Sequence, residues 1–193
     1  MIYIIFDTAL NGPYTLMLLQ NAYPVNQSLF KGTKDEALSD VAPYIFQVDD
    51  HLFEKINHPI ASLKFIVVFE SDQKINNLLS HFQQFIYEKR NGQENYFRFW
   101  DARVLERFLP TCSEKKLDIF FENIAAYYIV DETEATARCF TINRRKLLNT
   151  KIISLKEIFA LQNISAPLQE QTNESNLTST GQPVKQNKKF FSN

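Results

Sequence analysis

Glycine, histidine and cysteine are scarce in this chain, and each scarcity excludes a class of site. The 193 residues include only 4 glycines, and none falls in the closely spaced runs that let backbone amides approach a phosphate or a dinucleotide. The 3 histidines lack metal-ligand spacing, and Cys112 and Cys139 lie too far apart in sequence for a zinc or redox pair. We therefore predict no cofactor site and no metal site.

Nucleophile motifs are also lacking. A serine hydrolase needs its nucleophile on a sharp Gly-x-Ser-x-Gly turn, and that pattern does not occur. Cys112 precedes a predicted helix, whose dipole would lower the pKa of the thiol and make it reactive; the alternative is a bystander thiol. Nothing in the sequence assembles an acid, a base and a nucleophile, so we predict no catalytic residues and a protein that acts by binding.

Charge of one sign and long apolar runs are absent as well. The chain has 21 basic and 22 acidic residues, so no broad basic field attracts nucleic acid or an anionic membrane. No run approaches the roughly 18 apolar residues of a membrane span, and the start MIYIIFD does not resemble a signal peptide. These features predict a soluble cytoplasmic protein that binds neither nucleic acid nor membrane.

What the sequence does contain predicts an α/β fold, a mixed β-sheet flanked by helices. Apolar runs and alternating patterns predict strands at residues 3–6, 44–48, 63–69, 96–100, 126–130 and 137–142. Helical spacing and capping signals predict helices at residues 14–20, 33–41, 73–89 and 102–109, and another after Ser113.

The predicted organisation is a single domain followed by a short helix and a tail. The α/β domain spans residues 1–150 and the C-terminal helix residues 151–162. Residues 163–193 are rich in Ser, Thr, Asn and Gln and cannot offset their ordering entropy by burying apolar surface, so we predict a polar, flexible tail.

The most informative stretch is residues 96–110, YFRFWDARVLERFLP. Period-two alternation places Tyr96, Arg98 and Trp100 on one face of the predicted strand, and Asp101 is placed to cap the following helix. An arginine between large aromatic residues, with Arg103 close behind, is typical of recognition surfaces. The alternative is that Arg98 simply pairs with Asp101 and stiffens the corner.

A second amphipathic segment follows the predicted domain. Ser154 and Glu157 form a capping box for a helix that carries an apolar stripe at Leu155, Ile158 and Phe159. Such a stripe either packs on the body of the protein or accepts a partner, and the sequence leaves both interpretations open.

The motif FRFWDAR, followed by a short helix that ends in LP, resembles the signature of the type VI secretion adaptor proteins, a domain of unknown function also called Tap or TEC chaperones. The resemblance continues through IIFDTALNGPYTLMLL, QSLFKGTKDEALSDVAPYIFQVD and SLKFIVVFES, and it covers residues 1–132. Ala102 stands where such proteins often carry proline. We expect this difference to reduce only the rigidity of the helix start, because proline there presets the backbone angle.

The resemblance implies a non-enzymatic adaptor that holds a toxic effector protein in the bacterial cytoplasm and loads it onto the VgrG spike. Under this hypothesis the partner-binding residues are Arg98, Trp100, Asp101, Arg103, Leu155, Ile158 and Phe159. Larger relatives carry a more extensive helical region after the α/β part, so this chain has less surface for cargo. Two alternatives are an immunity protein that neutralises a cognate toxin and an unrecognised hydrolase.

Overall fold

The computed structural model describes residues 1–52, 63–131 and 136–160. Its strands are β1 (Ile2–Asp7), β2 (Asn26–Ser28), β3 (Pro43–Val48), β4 (Val67–Glu70), β5 (Tyr87–Arg90), β6 (Gln93–Tyr96), β7 (Ala126–Asp131), β8 (Thr136–Ile142) and β9 (Leu148–Ser154). Its α-helices are α1 (Thr8–Asn11), α2 (Pro13–Ala22), α3 (Ile75–Gln83), α4 (Ala102–Phe108), α5 (Glu114–Phe120) and α6 (Leu155–Ala160). Short 3-10 helices occupy Glu36–Leu38 and Leu109–Thr111. Within the described ranges, every helix is too short or too polar to span a bilayer.

Seven strands form the main sheet in the order β2-β3-β1-β4-β7-β8-β9, and β5 pairs with β6 in a separate hairpin. The predicted α/β class, a sheet flanked by helices, is confirmed. The direction of the strands differs from the expected mixed sheet, because every described pair is antiparallel. An apolar run records that both faces of a strand are buried, but it carries no information about strand direction.

Two apolar layers cover the two faces of the sheet. Because side chains alternate along a strand, β1 sends Tyr3 and Ile5 into the front layer and its remaining apolar residues into the back layer. Helices α3, α4 and α5 cover the front, where most of the aromatic rings lie, and α2 and α6 cover the back. All six residues of β1 are buried, as its uninterrupted apolar run predicted.

The predicted helix at residues 73–89 is too long. Helix α3 ends at Gln83, and Tyr87–Arg90 forms β5, which pairs with Gln93–Tyr96 across a two-residue turn. Asn91 and Gly92 in that turn have φ angles of 52° and 76°, as tight hairpin turns require. Apolar residues at the end of α3 happen to continue the helical period into the hairpin, which explains the error.

The predicted strand at residues 96–100 is also wrong, because β6 ends at Tyr96 and the chain then turns. The amide of Phe97 donates to the Ile86 carbonyl, and that of Phe99 donates to the Phe97 carbonyl, each at 2.9 Å. Alternation fails in this turn: Phe99 and Trp100 are neighbours in sequence and both are buried.

Other boundaries shift by smaller amounts. The strand expected at residues 63–69 begins at Val67, and the helix expected at residues 33–41 is reduced to the 3-10 turn Glu36–Leu38. Strands β2 and β9 are additional to those predicted, and β9 runs through residue 150, where the domain was expected to end. The predicted tail, residues 163–193, and the last two residues of the predicted C-terminal helix lie outside the described residues.

Candidate partner-binding site

The site begins with a buried carboxylate at the end of the central strand. Asp7 is the last residue of β1 and caps α1, since its Oδ1 accepts a hydrogen bond of 3.0 Å from the Ala9 amide. The Asn11 side-chain amide donates to the Asp7 carbonyl oxygen at 3.0 Å and to the Lys64 carbonyl oxygen at 3.1 Å. Asp7 is only 2% exposed, so its second oxygen requires a partner from inside the fold.

That partner comes from the turn after β6. Arg98 Nη2 binds Asp7 Oδ2 at 2.6 Å, and Trp100 Nε1 donates to the same oxygen at 3.1 Å. The Arg98 side chain remains 44% exposed while its carboxylate partner is buried. The expected Arg98–Asp101 pair is therefore wrong, because the turn directs Arg98 to the end of β1, while Asp101 binds the helix that it caps.

Asp101 caps α4, as predicted, and also holds a second arginine. Its Oδ1 accepts from the Arg103 backbone amide and from Arg103 Nε, both at 3.0 Å, and its Oδ2 accepts from Nη2 at 2.7 Å. Burial alone would raise the pKa of Asp101, but these bonds and the charges of Arg103 and Arg98 outweigh it, so the pKa lies below its usual range. The result is a buried carboxylate with a bidentate, half-exposed guanidinium above it.

The turn before β4 completes this corner. Phe65 has a φ of 58°, a left-handed conformation that is unusual for a bulky residue. Its carbonyl accepts a bond of 3.0 Å from the Ala102 amide, and the Arg103 guanidinium lies 3.8 Å from the centre of its ring. Proline has no amide hydrogen, so Ala102 provides a bond that proline at the first position of α4 would remove.

An open groove of about 730 Å³ lies between helix α4 and the β5–β6 hairpin. We call it the arginine groove; its lining includes Glu88, Tyr96, Phe97, Arg98, Arg103 and Arg107. Arg107 lies one helical turn beyond Arg103 and is exposed. Three guanidinium groups therefore line one surface, two of them anchored from below.

The hairpin wall of the groove is fixed to the rest of the fold. The Asp35 carboxylate accepts bonds from the Tyr87 hydroxyl at 2.6 Å and from the Tyr96 hydroxyl at 2.8 Å. These bonds hold the pKa of Asp35 below its usual range, and burial together with the Asp35 bond raises the pKa of Tyr96 to about 12. Lys34 adds an ion pair with Glu94. Bonds from both strands to one loop therefore hold the hairpin wall on the fold.

The structure places the predicted site residues in three environments. Arg98 and Arg103 lie half-exposed in the groove, whereas Trp100 and Asp101 are buried beneath it at 4% exposure each. The apolar stripe lies in the back layer, on the other face of the sheet: Ile158 and Phe159 are buried there, and Leu155 packs against them. The two predicted patches are therefore not brought together, and the stripe packs on the body of the protein.

Three site residues were not predicted from the sequence. Arg107 carries a usable signal, because an arginine four residues after Arg103 in a helix falls on the same face. Asp7 gives a weaker one, as a carboxylate that directly follows a buried apolar strand. For Phe65 no local pattern signals a left-handed turn.

The side chains with catalytic potential are separate from this groove. Burial raises the pKa of the Cys112 thiol, which lies 3.4 Å from the Phe108 carbonyl, and this favours the bystander thiol over the reactive one. His81 is buried, and this burial lowers the pKa of its imidazole. Across residues 1–52, 63–131 and 136–160, no group of three His, Cys, Asp or Glu side chains is arranged to hold a metal ion.

Comparison with known proteins gives one match. The family described as domain of unknown function DUF4123 matches residues 2–118, a span that includes Asp7, Phe65, Arg98, Asp101 and Arg107. No curated protein and no solved structure matches the chain. Because the family match covers more than half of the 193 residues, this chain belongs to the DUF4123 family.

Proposed function

We propose that this protein is a non-enzymatic adaptor that binds a type VI secretion effector in the cytoplasm and loads it onto the VgrG spike. The DUF4123 family is associated with effector adaptors of type VI secretion. The sequence FRFWDAR, which carries the resemblance to those adaptors, forms the Arg98–Trp100 turn and the start of α4. The motif and the arginine groove therefore coincide.

The observation that carries this proposal is the anchoring of Arg98 and Arg103. Each guanidinium bears five N–H donors. In Arg98 only Nη2 binds Asp7, and in Arg103 Nε and Nη2 bind Asp101, so each keeps donors for a partner. Buried carboxylates already fix both arginine side chains. Binding of a partner therefore costs these arginines less side-chain entropy than it would cost free arginines.

The apolar stripe on α6 has a different role in this proposal. The sequence left two interpretations open, body packing and cargo binding. With Ile158 at 1% and Phe159 at 9% exposure, we assign the stripe to holding α6 on the back of the sheet. Arg98 and Arg103 remain as partner contacts, and Trp100 and Asp101 act by positioning them.

Copurification tests the proposed function. The protein is coexpressed with the VgrG spike and the effector encoded beside it, and its affinity tag is used to recover complexes. An adaptor recovers both proteins, and deletion of its gene abolishes secretion of the effector. Recovery of neither protein, or undiminished secretion after deletion, would contradict the proposal.

The immunity protein is the alternative that the same groove would serve, and a toxicity assay separates the two. The effector is expressed with and without this protein in cells that lack the spike. An adaptor leaves the killing unchanged, whereas an immunity protein protects the cells.

A further inference from the structure

The arginine groove continues into an apolar pocket. A space of about 180 Å³ opens between the end of α3, the hairpin and α5, lined mainly by Phe85, Phe97, Phe108, Ile119 and Phe120. We call it the aromatic pocket. Phe97 and Phe108, whose ring centres are 4.4 Å apart, line both the pocket and the groove, so one continuous surface changes from cationic to apolar across this pair.

The walls of the pocket are held by ring contacts. Phe120 packs against Phe85 and Phe108 with ring centres 5.0 Å and 5.5 Å away. Ile119 forms the rim and is 41% exposed. A cavity of about 150 Å³ lined by apolar side chains is known to bind benzene, so this space suits a single aromatic or large aliphatic side chain.

The charges beside the pocket determine what can accompany that side chain. Arg98, Arg103 and Arg107 face the groove, while the carboxylates that hold the first two are buried, Asp7 at 2% and Asp101 at 4% exposure. Glu88 lines both the groove and the pocket, and Lys116 lines the pocket with the opposite charge, so the net charge of the combined surface is set by the arginines. The donors that remain on the guanidinium groups are complementary to carboxylates.

We propose that the arginine groove and the aromatic pocket together bind a partner segment that carries Asp or Glu beside an aromatic or large aliphatic residue. The acidic side chain binds the arginines, and the apolar side chain enters the pocket. This inference rests on the proposed adaptor function and specifies the chemistry of the segment that the adaptor recognises.

The aromatic residues of the C-terminal segment, residues 161–193, do not fit that description. Residues 161–193 contain three lysines and two glutamates, and their Phe-Phe pair directly follows two of the lysines. An aromatic residue beside basic residues has the wrong charge for a groove lined by arginines. Charge therefore favours a segment of another protein as the occupant.

The test uses a displayed library of random peptides selected on the full-length protein. The consensus peptide is synthesised with a fluorophore, and its Kd is measured by fluorescence anisotropy. We expect selected peptides to combine Asp or Glu with Phe, Trp or Leu. We expect Arg107→Glu and Ile119→Glu each to weaken binding about tenfold or more. The first removes a contact to the acidic side chain of the peptide, and the second places a charge at the rim of the pocket that receives its apolar side chain.

Matched controls lie in the β8–β9 turn. Arg144 is exposed like Arg107, and Leu147 is 44% exposed against 41% for Ile119. Arg144→Glu and Leu147→Glu repeat the same chemical changes away from the site and should alter Kd less than about twofold. An unchanged urea midpoint shows that each variant is folded.

Several outcomes would overturn the inference. One is a set of selected peptides without an acidic residue. Another is an enrichment of peptides no greater than that on an unrelated protein, and a third is equal Kd values for the site and control variants. A dimer in light scattering that Ile119→Glu makes monomeric would identify a second copy as the occupant. If Arg107→Glu and Ile119→Glu leave recovery of the spike and effector unchanged, this site is wrong while the adaptor function stands.

Discussion

Helix α4 separates two grooves that use arginine differently. On its hairpin side, the arginine groove has its counter-ions below the surface, at Asp7 and Asp101. On its other side lies a groove of about 450 Å³ between α4, the turn before β4 and strands β7 to β9. In this sheet-side groove Arg138 Nη1 binds Glu106 Oε1 at 2.6 Å, and both side chains remain partly exposed.

The position of the counter-ion determines what an arginine can do. A carboxylate buried beneath the guanidinium fixes it and leaves the outer donors exposed, as for Arg98 and Arg103. A carboxylate beside it on the surface competes with any partner, as Glu106 does for Arg138. Exposed pairs of this kind stabilise proteins little. Arg103 lines both grooves, but Arg98 lines the arginine groove and Arg138, with its surface counter-ion, lines the sheet-side groove, so we assign the proposed binding role to the arginine groove.

Of the changes considered, removal of Asp7 should lower the free energy of unfolding the most. Asp7→Ala leaves the Trp100 indole N–H and the Ala9 amide without their acceptor and removes the partner of Arg98. We expect a loss of about 3 kcal/mol in the free energy of unfolding, measured with urea. The control is Asp118→Ala, which breaks the exposed Lys146–Asp118 pair and should change stability by less than about 1 kcal/mol. Equal losses would show that the buried position of Asp7 is unimportant.

Proline at the start of α4 should have the next largest effect. At this position proline is normally harmless, but Ala102→Pro removes the bond from the Ala102 amide to the Phe65 carbonyl. We expect a loss of about 2 kcal/mol in the urea assay. Ala102→Ser keeps the amide and serves as the control. If the proline variant is as stable as wild type, the turn at Phe65 does not depend on this bond.

The contribution of Asp101 should depend on pH. Its pKa is lower in the folded state than its unfolded value of about 3.9, so its stabilisation is present above that pH and is lost as pH falls through the folded pKa. Asp101→Asn should therefore be less stable than wild type by about 1 kcal/mol at pH 6. The difference should shrink steadily below about pH 4. If the difference in stability between Asp101→Asn and wild type is the same at pH 6 as below about pH 4, the Asp101 charge does not contribute to stability.

The smallest effect is expected in the sheet-side groove. A double-mutant cycle with Glu106→Gln and Arg138→Gln measures the coupling of the exposed pair. We expect about 0.5 kcal/mol, and less in high salt, because solvent and ions screen both charges. A coupling comparable to the Asp7→Ala loss would remove the distinction between buried and surface counter-ions.

Local signals predicted only part of this arrangement. The Asp101 cap, helix α4 and the buried strand β1 follow from patterns within a few residues. The Asp7–Arg98 bond joins positions 91 residues apart, and nothing near Arg98 indicates its partner. The hairpin was hidden because residues at the end of α3 continue a helical period that the Asn91–Gly92 turn overrides. The α6 stripe is amphipathic under either interpretation, and only the packing of the back layer distinguishes them.

The most direct test of the binding role compares one arginine from each groove. Arg107→Gln and Arg138→Gln make the same change on opposite sides of α4, and Kd is measured against the purified spike and effector proteins. We predict that Arg107→Gln weakens binding of one of them about tenfold while Arg138→Gln changes it less than about twofold. Equal Kd values for the two variants, or a larger loss for Arg138→Gln, would contradict the assignment of partner binding to the arginine groove.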